Sequence, residues 1–567
     1  MSAITTQTSP LVRWLDQPRA DRELRFADDD QFIAISYDEF AVRCRRAAAR
    51  LLDAGCRPGD GVVLVQPSSP TFVAALFGAF ALGLTPTPVA PPGFFQDAEA
   101  YDRHLHNILD LACPAAVVVA AETHGVVERA LSARGLHAPI VDVEAGDSEV
   151  DLALPAHVSL LQFTSGSSGA AHGVRLTGGA VEANVAQIAY GLKYTPEEPM
   201  ATWLPLYHDM GLVSGLLLAV GGQGTLTIFR PDQFLRNPAR WVRCFDRGNA
   251  TVTTTPPFGL SFVAKRVSHE DLRGVDLSGW RAAVVGAERI DPEQLDAFMA
   301  LGAPHGLRRA VLTPAYGLAE ATLAVTIADT ETEPEAIELD WEALAPGEPV
   351  AITRRGWPSG RDASTWLVGC GPPLPGTSVT VLGVDGEPLD EGTLGEIAVV
   401  GPSVAAGYEG SSEARSTRFA GGRLNTGDAG FMLDGQLFVI GRMGDALSIR
   451  GRSIYAEDLE ARLKEVGGVA KERSVAFTGP QEAVAVVEAS PGDWAAEVGD
   501  ALARFVGHRA AVTVIAADRG QIARTSSGKP RRKEMWRRHI QNEIRGEVVT
   551  RRAARDQSSP QREPEEA

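Results

Sequence analysis

Lysine and cysteine are scarce in this chain, and long apolar runs are absent. Only six of its 54 basic residues are lysine: Lys193, Lys265, Lys464, Lys471, Lys529 and Lys533. A lysine that falls inside a motif is therefore informative. The five cysteines, Cys44, Cys56, Cys113, Cys244 and Cys370, are scattered through 567 residues. No pair has zinc-ligand spacing, and so few over such a length exclude a disulfide framework. A reducing cytoplasm fits. The longest apolar run, 72–84, is broken by glycine and is too short to span a bilayer. The stretch 1–10 is polar and holds no apolar signal core. A net charge of −18 argues against nucleic acid as the main partner. The expectation is a cytoplasmic protein with no membrane span.

A 567-residue chain is too long for one core, so more than one domain is expected. Residues 38–56, 72–84, 456–466 and 494–505 carry apolar positions at helical spacing. Short β-type runs lie at 61–65, 116–120, 140–143, 158–163, 225–228, 250–254 and 281–285. Strands alternating with helices predict an α/β layered fold with largely parallel sheets. Beyond Pro375 the runs 379–382, 395–400 and 435–440 are separated by Asp-Gly and Gly-Glu turns, which predicts a small antiparallel β unit. A new helix and strand pattern starts near Asp445. The expected organisation is a large N-terminal domain of layered α/β subdomains plus the small β unit (1–444). A small mobile α+β C-terminal domain (445–545) follows, and then a disordered tail (546–567).

The most informative stretch is Leu161-Gln-Phe-Thr-Ser-Gly-Ser-Ser-Gly-Ala-Ala-His-Gly-Val174. An apolar run leads into Thr164, Ser165, Gly166, Ser167, Ser168 and Gly169. Glycines let backbone approach a ligand closely, and clustered N–H and hydroxyl donors suit anionic oxygens. A plain surface turn has the same composition. No Gly-Lys-Ser/Thr closes the loop, so it is not a Walker A loop.

Six further segments need a joint explanation. They are Trp203-Leu-Pro-Leu-Tyr-His-Asp-Met-Gly-Leu212, Gly286-Ala-Glu-Arg-Ile290, Tyr316-Gly-Leu-Ala-Glu-Ala-Thr322, Thr426-Gly-Asp428, Gly441-Arg-Met-Gly-Asp445 and Arg524-Thr-Ser-Ser-Gly-Lys529. In this order the set resembles the adenylate-forming superfamily of acyl-CoA synthetases, peptide-synthetase adenylation domains and luciferases. The wording Tyr-His-Asp-Met-Gly-Leu (207–212) and Tyr-Gly-Leu-Ala-Glu-Ala-Thr (316–322) looks most like fatty acyl-AMP ligases. The resemblance spans roughly residues 20–540.

The resemblance implies an acid-activating ligase that uses ATP, or an acyl-AMP, with Mg²⁺. It implies transfer of the acyl group to a phosphopantetheine thiol of CoA or of an acyl carrier protein. By it, Thr164–Gly169 hold the β- and γ-phosphates and Glu320 ligates Mg²⁺. Gly286, Ala287 and Glu288 line the adenine slot, with Tyr316 and Gly317 against the base. Asp428 accepts from the ribose hydroxyls, and Arg442 contacts the ribose or phosphate side. His208 sits near the acyl carbonyl, while Met210, Pro257 and Phe258 wall an apolar acyl pocket. Lys529 bridges the carboxylate and the α-phosphate from the C-terminal domain. The hinge falls at Gly444 and Asp445, and Gly451 lies against the pantetheine arm. Each residue also has a plainer reading: Tyr316 as core, Asp428 as a turn aspartate, His208 as a structural histidine, Glu320 and Lys529 as solvated charges.

The phosphate loop departs from the family pattern. Relatives commonly read Thr-Ser-Gly-Ser-Thr-Gly-x-Pro-Lys-Gly; here Ser168, Ala171 and His172 replace the second Thr, the Pro and the Lys. A neutral histidine gives up a cation facing the triphosphate, so weak ATP use is expected beside intact handling of an adenylate. Two alternatives follow: a thioester-forming enzyme fed with a preformed adenylate, or a non-catalytic scaffold of the same fold. The stretch 331–370 lies where acyl-AMP ligases carry an extra segment, and Trp357 and Trp366 are candidates to dock it. The acid is expected to be hydrophobic, a fatty acid or a larger acid of specialised metabolism.

Replacing Lys529 by Ala is expected to slow adenylate formation by about 10²–10³-fold, the usual cost of one positioned electrostatic donor. Transfer from a supplied adenylate should be largely retained. Equal loss in both half-reactions, with the fold intact by circular dichroism, contradicts the assignment.

Overall fold

The computed structural model describes residues 8–553 except 94–97, 165–171, 342, 359–364, 411–416, 444–445, 450–451, 471–472, 480–481, 507–509 and 525–529. Its largest sheet has eight strands. Glu23–Asp28, Leu226–Ile228, Met200–Thr202, Val252–Thr255, Ala282–Val285 and Leu312–Gly317 run parallel at its centre. Gln31–Ser36 and Ala324–Ile327 close the two edges antiparallel. Val252–Thr255 and Ala282–Val285 are buried at every position, as strands covered on both faces must be.

A second, all-parallel sheet orders Thr85–Val89, Gly61–Val65, Ala116–Val119 and Ile140–Val141. Both sheets share one apolar core with the helices Tyr37–Asp53 and Pro70–Ala81. The apolar run at 72–84 is thus a helix, buried all round rather than amphipathic. Its Gly78 is needed: a Cβ there would lie 3.0 Å from Ala47 Cβ and from Cys44 O of the neighbouring helix. Among the described residues no helix is long and apolar enough to cross a membrane.

The antiparallel unit expected beyond Pro375 is present. Ser378–Leu382, Gly395–Val400, Arg423–Leu433, Arg418–Ala420 and Gln436–Arg442 form it. The two longest strands join through Asp434-Gly435, whose φ values of 49° and 74° are those of a tight hairpin turn.

The stretch 331–370, for which no strand is expected from sequence, contains a three-stranded antiparallel sheet. Its strands are Ala336–Leu339, Ile352–Gly356 and Trp366–Val368. Both tryptophans anchor it. Trp366 is buried, and Trp357 donates its indole N–H to Asp296 Oδ1 at 2.9 Å while Arg309 lies over its ring. On the sheet, Glu338 accepts from Arg354 at 2.6 and 2.8 Å and from Thr353 and Thr365 at 2.6 and 3.0 Å.

From residue 454 onward the chain builds its own apolar cores. Ser474–Thr478, Glu482–Val487, Ala511–Ala517 and Gly546–Arg552 form a sheet, with helices Ala456–Glu465, Trp494–Phe505 and Arg532–Ile540. The last strand corrects the expectation of a disordered tail from residue 546. Gly546–Arg552 pairs antiparallel with Ala511–Ala517, and Thr550 donates to Ala495 O at 3.0 Å. The charges of this stretch hide a strand in which Thr550 is buried beside half-buried Val549 and exposed Arg551 and Arg552.

The Arg354 ion pair, with the Thr353 hydroxyl, pulls the Glu338 carboxyl from its ordinary 4.5 down to about 2. A depressed folded-state value stabilises the fold above the unfolded-state value, and that contribution is lost as pH falls toward about 2. Glu338→Gln should therefore flatten the fall in melting temperature between pH 5 and pH 2 without creating a new dependence near neutrality (differences of roughly one transition). An unchanged acid limb in a pH series of thermal melts contradicts this.

Candidate functional site

Three of the expected segments, and the expected pocket residue Pro257, lie where parallel strands of the large sheet end. Trp203 follows Met200–Thr202, Pro257 follows Val252–Thr255, Gly286 follows Ala282–Val285, and Tyr316 and Gly317 finish Leu312–Gly317. The carboxyl ends of parallel strands are where open α/β sheets bind ligands. The backbone there is tight. A Cβ on Gly286 would lie 2.8 Å from Ala315 O, and one on Gly317 would lie 1.8 Å from Leu323 O. Ala287 holds φ at 70° and Thr322 at 67°, conformations rarely adopted by such residues and typical of functional turns. Ala287 and Glu288 are exposed at this rim.

Tyr316 is buried in the second apolar core, and its hydroxyl donates to Asp428 Oδ2 at 2.6 Å. Burial, reinforced by the Asp428 charge, pushes the phenol far above its usual range, so it stays a donor. Asp428 faces Arg442 across the ladder of the β unit. Arg442 Nε lies 3.3 Å from Asp428 Oδ1, and its Nη1 donates to Thr417 Oγ1 at 3.0 Å and Thr426 O at 2.5 Å. A carboxylate has about four lone-pair sites, so Asp428 retains acceptor capacity after both contacts.

Glu320 sits in the turn Ala319–Ala321 and is 6% exposed. Burial raises its carboxyl above the ordinary range, and a hydrogen bond from Tyr408 Oη at 2.6 Å opposes that rise. Among the described residues no three metal-ligating side chains converge. A single carboxylate completed by phosphate oxygens is an ordinary Mg²⁺ donor set, so Glu320 fits that ion bound together with a nucleotide.

His208 Nδ1 lies 2.6 Å from Asp209 Oδ1, which also accepts from Met210 N at 2.7 Å. That contact orients the ring and leaves Nε2 as the other polar atom. The segment is bent back closely: a Cβ on Gly211 would lie 2.4 Å from Pro205 O. It continues into a π-helical stretch, Met210–Leu217, a geometry often found at functional sites. Met210 and Pro257 are buried, and half-buried Phe258 packs edge-on to Trp203 at 6.4 Å. Trp203 is itself stacked on Phe234 at 4.1 Å.

Thr164 ends the strand Leu160–Thr164, which pairs antiparallel with His172–Leu176 so that Thr164 faces His172. The loop between them, with Ser165, Gly166, Ser167, Ser168 and Gly169, lies outside the described residues, as do Gly444, Asp445, Gly451 and Lys529. Two residues of this region are not expected from sequence. Glu396, read from sequence only as part of the strand run 395–400, is buried and accepts from Arg418, Asn425 Nδ2 and Gly427 N. It thereby supports the turn before Asp428. Tyr408, with no motif of its own in the sequence reading, holds Glu320.

The model of the AMP-binding enzyme family matches residues 13–409. A putative acyl-CoA synthetase of Caulobacter vibrioides is 32% identical over 510 residues, 86% of this chain and 88% of its own length. The 4-hydroxyphenylalkanoate adenylyltransferase of Mycobacterium marinum is 32% identical over 85% of this chain and 82% of its own. The long-chain-fatty-acid–AMP ligase FadD26 of Mycobacterium tuberculosis is 32% identical over 76% and 77%. A solved chain from structural and functional studies of fatty acyl-adenylate ligases of E. coli and L. pneumophila superposes with a TM-score of 0.85. It is 29% identical and covers 95% of this chain and 98% of its own. This chain belongs to the AMP-binding enzyme family, and it is an acyl-activating, adenylate-forming ligase of fatty acyl-AMP ligase type.

Asp428→Ala leaves the buried Tyr316 hydroxyl without its acceptor and takes a carboxylate from the rim. Affinity for an AMP analogue should fall by about 1–3 kcal/mol, roughly fivefold to 150-fold. Calorimetry showing unchanged affinity in a folded variant contradicts the role.

Proposed function

We propose that this enzyme converts a hydrophobic carboxylic acid and ATP, with Mg²⁺, into an acyl adenylate and pyrophosphate. It then passes the acyl group to a phosphopantetheine thiol of CoA or an acyl carrier protein. The observation that carries this reading is one cluster at the carboxyl ends of the large sheet: Tyr316 and Arg442 on Asp428, with Glu320 nearby. In the first step a carboxylate oxygen attacks the α-phosphorus and the bond to pyrophosphate breaks. In the second, the thiol sulfur attacks the acyl carbonyl, its proton leaves to solvent, and AMP departs. Both steps need the nucleoside held, which is the proposed task of Asp428, Tyr316, Gly317 and Gly286–Glu288. His208 orients the acyl carboxylate, and Met210, Pro257 and Phe258 face its chain. Mg²⁺ on Glu320 neutralises phosphate charge when bound. The names of the relatives, a long-chain fatty acid ligase and a hydroxyphenylalkanoate adenylyltransferase, favour an acid with an extended apolar part.

Lys529 belongs to the first step in this scheme, and Gly451 to the second. A domain boundary at Gly444–Asp445 separates the two poses. The separate apolar cores on either side of that point support a two-body arrangement of residues 1–444 and 445–545.

The loop sequence favours a second reading, in which a preformed adenylate is the main substrate. Ser168, Ala171 and His172 supply less charge and less rigidity than the common Thr, Pro and Lys. A missing cation beside a triphosphate costs about a few kcal/mol in a partly desolvated site, or roughly 10²-fold in rate. The adenylate carries no β- or γ-phosphate and is indifferent to the change. Pyrophosphate release with ATP and a panel of acids, set against transfer from synthetic adenylates to CoA and carrier protein, tests both. Slow release beside fast transfer is expected, with Ser168→Thr, Ala171→Pro and His172→Lys together raising release alone. Robust release by the unmodified enzyme refutes the impaired-loop reading, and no activity in either assay refutes the enzyme reading.

A further inference from the structure

The segment 403–409 is bonded in two directions. On one side Ala405 N donates to Glu320 O at 2.9 Å, and Thr322 Oγ1 donates to Ser403 O at 2.7 Å. On the other it runs beside the strand that returns from the phosphate loop. Ala406 N donates to Arg175 O and Arg175 N to Gly407 O, both at 2.9 Å, and Glu409 N donates to Gly173 O at 2.7 Å. Tyr408 sits at the crossing. Its hydroxyl reaches Glu320 Oε1 at 2.6 Å, and its ring meets His172 edge-on at 6.0 Å and Phe419 at 5.4 Å.

We propose that Tyr408 is a positioning residue that ties the phosphate-loop hairpin to the Glu320 carboxylate, and so sets how strongly Mg²⁺ assists ATP binding. This rests on the reading that Glu320 holds the cation. The chemistry of the donor favours such a role. A neutral phenol fixes a carboxylate oxygen without cancelling its charge, whereas an arginine or lysine at that place would neutralise the field a cation needs. The carboxylate keeps acceptor capacity beyond the phenol bond. The rings of His172 and Phe419 restrict the Tyr408 ring, so the hydroxyl arrives from a set direction. Because the same segment is bonded to the return strand His172–Leu176, that strand and the cation carboxylate are held in common register.

The test is Tyr408→Phe in the full-length chain, which removes one oxygen and keeps the ring. Calorimetric titration of ATP, with and without MgCl₂, should show the enhancement by Mg²⁺ falling by about tenfold, the scale of a lost hydrogen bond to a charged group. Binding of ATP without divalent cation and transfer from a supplied adenylate should hold. The Mg²⁺ half-saturation of pyrophosphate exchange should rise in parallel. An unaltered Mg²⁺ enhancement overturns the proposal, as does an equal loss with and without the cation. Glu320→Gln separates the two ideas: if it leaves the enhancement intact, the reading of Glu320 fails. If it abolishes the enhancement while Tyr408→Phe does not, only the positioning role fails. Should Tyr408→Phe not fold, Phe419→Leu, which frees the ring, is read the same way: a smaller shift in the same direction supports the role and no shift overturns it.

Discussion

A 2.6 Å hydrogen bond from Tyr316 to Asp428 fastens the carboxyl end of the parallel sheet to the antiparallel β unit. Every other feature of the candidate site is arranged around that junction. Tyr316 comes from the end of the strand Leu312–Gly317, where it belongs to the second apolar core. Asp428 comes from a strand more than a hundred residues later in sequence, stiffened by Arg442 across the ladder and by Glu396 under the preceding turn. The rim thus joins two sheets that also share one apolar core. Burial gives the bond its value, because a phenol and a carboxylate out of water lose far more when separated than an exposed pair does.

Several other polar groups sit in closed sets. Glu396 is surrounded by Arg418, Asn425 and a backbone N–H; Glu338 by Arg354 and two threonines; Asn184 bridges Gln187 and the backbone of Ala324. Glu320 is held differently: its named side-chain donor is a neutral phenol.

Much of the site is legible in the sequence because its residues cluster in short segments that need particular backbones. Gly286 and Gly317 stand where no Cβ fits, and Thr426-Gly-Asp428 places an acceptor beside a turn. Tyr408 and Glu396 escape that reading, since their importance lies in long-range contacts that no local pattern encodes. The fold shows the same division. Continuous apolar strands such as Gly61–Val65 and Ala282–Val285 are plain in the sequence, with boundaries displaced by a residue or two elsewhere. Thr85–Val89 is hidden by its prolines, the sheet of residues 336–368 by its polar faces, and Gly546–Arg552 by its arginines. In each case tertiary pairing overrides an unfavourable local composition.

The prolines of Thr85–Val89 also have a mechanical meaning. Thr85 N donates to Asp60 O at 2.8 Å, so positions 85, 87 and 89 face Gly61–Val65 while Pro86 and Pro88 turn their donorless nitrogens the other way. On that outer flank Thr85 Oγ1 meets Ser159 Oγ at 2.8 Å, just before the first strand of the phosphate-loop hairpin. Without N–H groups to offer, the strand cannot zip onto the hairpin, which stays a separate two-stranded sheet. Two prolines thus act as an insulator: the ladder of the all-parallel sheet ends at this edge and does not continue into the hairpin.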